Sequence, residues 1–538
     1  MKYIFLFVLL SVAVLYAADD VPIWSMYEAT FTSGKSYDNP LYDVESFKVT
    51  FKSPNGRTKT VSGFWDGSNT WKVRFTPDET GGWTWTSECS DEENTGLHEQ
   101  AGAFECVDNK SGLDLYQHGS ITHPKGEYYF THADGTPFFW TACTAWNGAL
   151  LSTDDEWERY LTHRQNHGYN VIQFVTTQWR GCEANRFGEK AFEGSGRIRL
   201  NVNFFKRMDK KIQRINDHGL VAAPVLLWAL PFGQGMELSP GYYLPVREAV
   251  LLARYMVARF GGYQVIWILG GDGKYVDEFE QRWKSIGRGV FTNENQGLVT
   301  LHPMGRSWVG DAYADEDWYD FVGYQSSHSS GKGTVEWITK GPMTSKWEKL
   351  PPRPYVNMEP NYEEIGFRIT AENVRNACYW SIFATPVAGI TYGANGIWPW
   401  LHEGERILNH YDSGGVTPWN EAIDFPGSIQ IGYLGEFIRQ QEWWKFKPAP
   451  EYLVEQPGNE TYNHFISLVK TDGCEQFMAY TPKQQTIKIY NQQNLDYEGE
   501  WFDAMNNEIE PAVIKQINGQ IHTTPPREGD FVLLLDAK

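Results

Sequence analysis

Between Tyr128 and Gln441 eight short apolar runs of strand character alternate with stretches of helical periodicity, a rhythm that few folds accept. A strand joined to the next by a crossover helix returns parallel to it, so a repeated β-α unit builds a parallel sheet covered by helices. The strand candidates are Pro137–Ala142, Asn170–Val175, Val221–Leu227, Val265–Leu269, Leu298–Leu301, Phe321–Gln325, Tyr355–Met358 and Gly389–Tyr392. Helical runs fall at Asp154–His167, Asn203–His218, Pro245–Arg259, Asp277–Gly289 and Ala371–Ala384, and Gly427–Gln441 closes the ring. The second of these stops at Asp217, His218 and Gly219, a helix C-terminal signal. Eight such units predict a (β/α)8 TIM barrel of the α/β class over residues 120–442. An open doubly wound sheet is the alternative, and the lack of a glycine-rich phosphate loop counts against it.

On either side of this segment the rhythm changes. Residues 19–110 show short alternating runs, such as Phe47–Phe51, Thr60–Phe64 and Trp71–Phe75, broken by Gly, Asn, Asp and Pro, which predicts an N-terminal β-sandwich. Residues 444–538 return to the same pattern after Pro448 and Pro450 and predict a C-terminal β-sandwich. Residues 1–18 read as a cleavable signal peptide: Lys2, an apolar run from Ile4 to Tyr16, then Ala17 and Ala18. The expected location is secreted or periplasmic. The apolar run is short for a membrane span, and no later segment is long and apolar enough to make one.

A formal charge of −20 argues against nucleic acid and anionic membrane surfaces as partners. The chain carries 23 Trp, 29 Tyr and 30 Phe, whose flat faces suit sugar rings as well as protein cores, so only those at site-like positions inform function. Six cysteines are scattered without the close pairs of a structural zinc site, and nothing in the sequence requires a metal or a cofactor. Cys89 and Cys106 are the one pair within a single small domain; a disulfide between them and two buried free thiols are both compatible with the sequence.

Catalytic groups of a barrel sit where its strands end. Those ends offer Trp146, Gln178, Trp228, Asp272, His302, Gln325, His328, Glu359 and Trp398, a density of polar groups and indoles that a purely structural barrel does not need. Asp272 follows the fourth strand and Glu359 the seventh, on opposite sides of the mouth. Glycosidic cleavage uses two carboxyl groups, one to protonate the leaving oxygen and one to attack or to activate water; they stand about 5–5.5 Å apart in retaining enzymes and about 6.5–9.5 Å apart in inverting ones. The competing structural reading makes Asp272 a turn residue among Gly270, Gly271 and Gly273, and pairs Glu359 with Arg353. Spacing alone does not assign the two roles.

The run Asp134-Gly135-Thr136-Pro137-Phe138-Phe139-Trp140, leading to Thr144-Ala145-Trp146, resembles the opening of the apiosidase family, glycoside hydrolase family 140, and its relatives. Further matches follow in order: Gly270-Gly271-Asp272, His302-Pro303-Met304-Gly305, Asp320-Phe321 with Gln325-Ser326 and His328, Glu359-Pro360 with Tyr362-Glu363, and Thr391-Tyr392-Gly393. The resemblance covers nearly the whole chain, since such relatives often carry an N-terminal β-sandwich and a C-terminal one labelled collagen-binding. It implies a retaining barrel enzyme with Asp272 as acid/base and Glu359 as nucleophile. Two positions depart from the pattern. Cys143 stands where relatives commonly have Asp, a change that takes away a candidate substrate-binding carboxylate and weakens the expectation of apiose as the sugar more than that of glycosidase chemistry, and Gly271 stands where related barrels often have Asn.

These readings converge on a secreted, retaining glycoside hydrolase acting on a plant or algal polysaccharide or oligosaccharide, with Trp146, Gln178, Trp228, His302, Gln325, His328 and Trp398 binding substrate. The alternatives are a non-catalytic carbohydrate-binding protein and a matrix-adhesion protein acting through the C-terminal sandwich. The long loops Gln178–Arg197 and Leu230–Leu244 are the expected determinants of specificity. Arg180, Arg186, Arg197 and Arg199 around the first of them suggest an acidic glycan as readily as an ordinary charged surface.

Overall fold

An apolar run that is buried at every position, as Val221–Trp228 is, needs cover on both faces. The computed structural model describes residues 20–292, 297–410, 413 and 417–538. The expected signal segment at residues 1–18 lies outside them. Eight parallel strands supply the central sheet: β1 (Trp140–Thr144), β2 (Val171–Val175), β3 (Val221–Trp228), β4 (Trp267–Gly271), β5 (Val299–Thr300), β6 (Val322–Gln325), β7 (Tyr355–Glu359) and β8 (Gly389–Ala394). Their order is β5-β4-β3-β2-β1-β8-β7-β6, a TIM barrel paired throughout except at the seam between β5 and β6. The helices are α1 (Asp154–Asn166), α2 (Val202–Asp217), α3 (Val246–Phe260), α4 (Glu280–Val290), the single turn α5 (Gly310–Tyr313), α6 (Lys332–Lys340), α7 (Ala371–Phe383) and α8 (Pro426–Arg439).

Local chemistry starts several of these helices where it does. Thr153 and Glu156 form a reciprocal capping box on α1, Thr370 and Asn373 do the same on α7, and the Asn201 side chain accepts from Phe204 N on α2. The predicted run Pro137–Ala142 divides in two. Pro137–Phe138 pairs antiparallel with Phe130–His132, while Trp140 begins the barrel strand. The Phe130 ring then packs on Trp140 and Phe321 and covers the end of the barrel opposite the strand ends that carry the candidate residues.

The seam is held by one backbone hydrogen bond and by side chains. Asp320 N–H donates to Val299 O (2.9 Å), and Asp320 Oδ2 accepts from Val299 N–H (2.7 Å). Thr300 Oγ1 donates to Phe321 O (2.8 Å) and accepts from Gly323 N–H (3.1 Å). Burial pushes the Asp320 carboxyl up to about 6, against the pull of the Val299 amide.

The described residues up to Ser111 form one compact unit and Gly112–Lys538 a second. The first is a sandwich of a five-stranded and a three-stranded sheet around Phe31, Phe47, Phe51, Trp71, Phe75 and Trp83. Its register settles the cysteine question. Cys106 lies opposite Gly81, at the far end of the nine-residue strand that finishes at Cys89. At about 3.3 Å per residue the two sulfurs are on the order of 25 Å apart, and both are buried free thiols.

In the second unit a six-stranded and a three-stranded sheet enclose a separate core containing Leu468, Phe477, Trp501, Phe531 and Leu533. This sandwich is joined to the barrel through α7 and α8. Arg375 of α7 makes a two-pronged ion pair with Asp530 (2.8 and 2.7 Å), both side chains buried, and also donates to Gln430 of α8. Tyr379 stacks on Tyr480 and Phe437 on Phe502, with ring centroids 4.5 and 4.2 Å apart. Among the described residues no helix is long and apolar enough to cross a membrane.

Removing one partner of a buried pair strands the other charge, so Asp530→Ala should cost about 3–5 kcal/mol of stability. Denaturant unfolding followed by tryptophan fluorescence measures it. A change below about 0.5 kcal/mol means that the sandwich and the barrel are not stabilised through this pair.

Candidate active site

The chain turns sharply after β4, at Asp272 itself. Asp272 follows Gly270 and Gly271 and adopts φ +46°, a left-handed conformation that costs an L-residue roughly 1–2 kcal/mol. The next residues pair with the extension of β5: Gly273 N–H donates to His302 O and Met304 N–H to Gly273 O. Gly271 has no room for a side chain, since a Cβ there stands 2.7 Å from both the Trp228 ring and Val225 Cγ1. The position that carries Asn in related barrels is thus filled from β3 by an indole.

His302 touches both candidate residues. Asp272 N–H donates to its Nδ1 (3.1 Å), which leaves the ring proton on Nε2, 3.1 Å from Glu359 Oε2. That last contact is too poorly aligned to satisfy either atom as a hydrogen bond. The other oxygen, Oε1, lies 2.9 Å from His328 Nε2, while His328 Nδ1 lies 2.9 Å from Pro360 O. Both ring nitrogens of His328 thus face oxygen atoms. Arg353, the partner expected if Glu359 were merely structural, instead donates to Tyr313 O and covers the Tyr319 ring.

Electrostatics pushes the pair apart. Enclosure by protein, then the negative charge of Glu359, raise the Asp272 carboxyl to about 7, although its residue keeps some contact with solvent. Burial also acts to raise Glu359, but the two histidines outweigh it and hold its carboxyl well below the ordinary range. One group therefore tends to keep its proton near neutral pH while its neighbour stays ionised, which is the requirement for acid and nucleophile in one site.

Around the pair stand four indoles. Trp146 packs against Trp228 (5.8 Å between centroids) and His302 (5.4 Å), Trp179 against Trp228 (4.1 Å), and Trp398 within 6.3 Å of Trp179. Trp146 Nε1 donates to Tyr362 Oη and Trp179 Nε1 to Asn147 Oδ1. The Nε1 atoms of Trp228 and Trp398, and Gln325 Oε1 opposite Glu359, are buried without a protein partner. Each buried polar atom without a partner costs stability, so three of them gathered at the strand ends call for a reason beyond packing.

The structure thus brings together Asp272, Glu359, Trp146, Trp228, His302, Gln325, His328 and Trp398. Gln178 does a different job: its amide accepts from Ala191 N–H and donates to Phe192 O, pinning the loop after β2. Of the four arginines near that loop, Arg180 acts on Asp272, whereas Arg186, Arg197 and Arg199 are exposed. Cys143 corrects a further expectation. It points outward from β1, fully buried against Arg164 and Tyr160 of α1, so a carboxylate at this position meets the Arg164 guanidinium and not the groove. Tyr362, whose ring lies 4.2 Å from His328, is a site residue that sequence reasoning placed only within a motif.

The catalytic-domain model of the apiosidase-like family matches residues 124–445, more than half of the chain. A domain of unknown function (DUF5060) matches residues 20–90. Among solved structures, a glycoside hydrolase superposes with a TM-score of 0.67 at 22% identity, covering 79% of this chain and 98% of that one. A glycoside hydrolase family 5 protein from Bacteroides vulgatus gives 0.68 at 21% identity, over 79% and 95%. A second glycoside hydrolase structure from the same organism gives 0.70 at 17% identity, over 97% and 100%. At these identities the likeness is one of fold. No curated protein matches the chain by sequence.

Because Gly271 packs directly on Trp228, Gly271→Ala should cost about 1–3 kcal/mol and alter the near-UV circular dichroism of the indole cluster. A variant with wild-type stability and an unchanged spectrum contradicts this packing.

Proposed function

The chain belongs to the apiosidase-like family of glycoside hydrolases, and we propose that it is a secreted, retaining enzyme in which Glu359 attacks the anomeric carbon and Asp272 serves as acid/base. The observation that carries this reading is the divergence of two carboxyl groups on residues that both contact His302, one raised toward neutrality and one held ionised. Neither the left-handed bend at Asp272 nor the histidine pair on Glu359 is needed merely to close a barrel.

In the first step Glu359 Oε2, the oxygen less firmly held, bonds to the anomeric carbon while the glycosidic C–O bond breaks. The leaving oxygen takes the Asp272 proton. Water then enters, Asp272 removes one of its protons, and the water oxygen displaces Glu359 from the anomeric carbon. The released glutamate is again ionised beside its histidines, and Asp272 again carries a proton. Trp228, Trp398 and Gln325 offer unpaired polar atoms to the hydroxyls of the bound sugar, and the indole faces bind its apolar side.

The proposed substrate is a plant or algal polysaccharide. Apiose remains within this reading, because Cys143 stands outside the groove and its departure from the family pattern does not bear on the sugar.

Wild type, Asp272→Ala and Glu359→Ala are to be compared on a panel of plant and marine polysaccharides by release of reducing sugar. The expected outcome is activity in wild type and a loss of at least 10³-fold in each variant on the cleaved polysaccharide. Equal activity in all three places the chemistry elsewhere. Binding without turnover by wild type favours a carbohydrate-binding protein.

The pH profile gives a second test. Asp272 must be protonated in the bond-breaking step, so the rate should fall as pH rises through about 7, while Glu359 limits it only in strong acid. On glycosyl fluorides, whose leaving group needs no proton, formation of the glycosyl-enzyme should lose that alkaline limb. An alkaline limb of equal size on both substrates assigns it to another group.

A further inference from the structure

Water-exposed apolar side chains are unevenly distributed on this barrel. Among the described residues its exposed large apolar side chains are Phe187, Phe232, Met236, Tyr242 and Phe367. All five lie on loops that follow β2, β3 or β7, at the end of the barrel holding Asp272 and Glu359. Arg207 already covers the Phe187 ring at 3.9 Å. Three of the five share the single loop Leu230–Leu244.

That loop starts beside the acid/base candidate: Ala229 N–H donates to Gly271 O (2.8 Å), one residue before Asp272. Its middle lies on Arg180, with Gly233 facing the guanidinium and Gly235 packed on Arg180 and Asn409. Its end is tied down by Arg282 of α4, which donates to Gly241 O (2.8 and 3.2 Å) and to Leu244 O (2.5 Å). Gly241 packs on Trp228 O and Trp283, and Ser239 is fully buried. Phe232, at 50% exposure, and Met236 and Tyr242, each at 36%, are thus held out toward solvent by an anchored backbone. Apolar surface kept exposed on a fixed support beside a site marks a ligand contact.

We propose that the loop Leu230–Leu244 is the platform for the leaving group, on which Phe232, Met236 and Tyr242 hold the sugar units beyond the scissile bond, so that the substrate is a saccharide chain and not a small glycoside. The inference rests on the glycosidase reading above. A general acid stands on the side from which the leaving oxygen departs. This loop begins with a backbone hydrogen bond one residue before it, while on its other side the acid is bonded to the His302 segment, which carries none of the five exposed apolar side chains. Flat aromatic faces suit the apolar faces of successive sugar rings.

The test compares wild type with the triple variant Phe232→Ala, Met236→Ala, Tyr242→Ala. The substrates are the polysaccharide panel and the glycosyl fluorides of its constituent sugars, in which fluoride replaces the entire leaving group. The platform predicts at least a tenfold fall in kcat/KM on the cleaved polysaccharide, carried mainly by KM, and a change of less than twofold on the fluoride. Should the triple variant fold poorly, Phe232→Ala alone is expected to raise KM for the polysaccharide at least threefold with the fluoride unaffected. Unchanged polysaccharide kinetics, or an equal loss on both substrates, overturns the platform. So does a wild type that turns over a fluoride but no polysaccharide, which leaves the glycosidase reading standing. The absence of any Glu359-dependent activity on either class overturns the reading beneath it.

Discussion

One imidazole sets the relation between the two halves of the candidate site. His302, buried at the end of β5, takes the Asp272 amide on one nitrogen and turns the other toward Glu359. The first contact steadies the left-handed bend that aims Asp272 into the mouth; the second helps to hold Glu359 ionised. With the ring proton fixed on Nε2, acid and nucleophile candidates depend on one tautomer. The indole layer above them packs on the same ring through Trp146, so the groove wall and the carboxylates share a support.

Strand β5 contributes only two residues to the ladder, yet it carries this histidine. Its position is secured by the seam, where Asp320 and Thr300 replace missing backbone pairing with side-chain hydrogen bonds. A short strand at the seam leaves the segment from His302 to Met304 free to pair with Gly273 instead, which joins the β4 and β5 ends directly at the catalytic face. The C-terminal sandwich supports the opposite wall. It braces α7, the helix between the strand that ends in Glu359 and β8, through a buried ion pair and stacked rings. This arrangement makes the sandwich part of the barrel's framework.

The barrel was legible in the sequence because its strands are continuous apolar runs separated by helical periods, and all eight predicted strands have a counterpart. Boundaries were less so. Pro137–Ala142 reads as one run but holds two strands, since Phe139 lies between a hairpin and the barrel with no break in hydrophobicity. Helix α6 went unread behind the glycine- and serine-rich stretch that precedes it. At the site, strand-end position identified Asp272, Glu359 and their neighbours, but not what each side chain does. Gln178 proved to pin a loop because its backbone partners at Ala191 and Phe192 are remote in sequence. Cys143 follows the alternation of its strand: Thr141 packs on α8, so residue 143 also faces the helices. The contact between Gly271 and Trp228, and the clustering of exposed rings on one loop, depend on tertiary placement and leave no local signal.

The account is tested most directly by trapping the covalent step. Wild type would be incubated with the 2-deoxy-2-fluoro glycoside of the sugar it releases, carrying a good leaving group, then digested and analysed by mass spectrometry. The account predicts one added glycosyl group on the peptide containing Glu359, and no adduct in Glu359→Ala. An adduct on another residue, or a product first released with inverted anomeric configuration and no adduct at all, would contradict it.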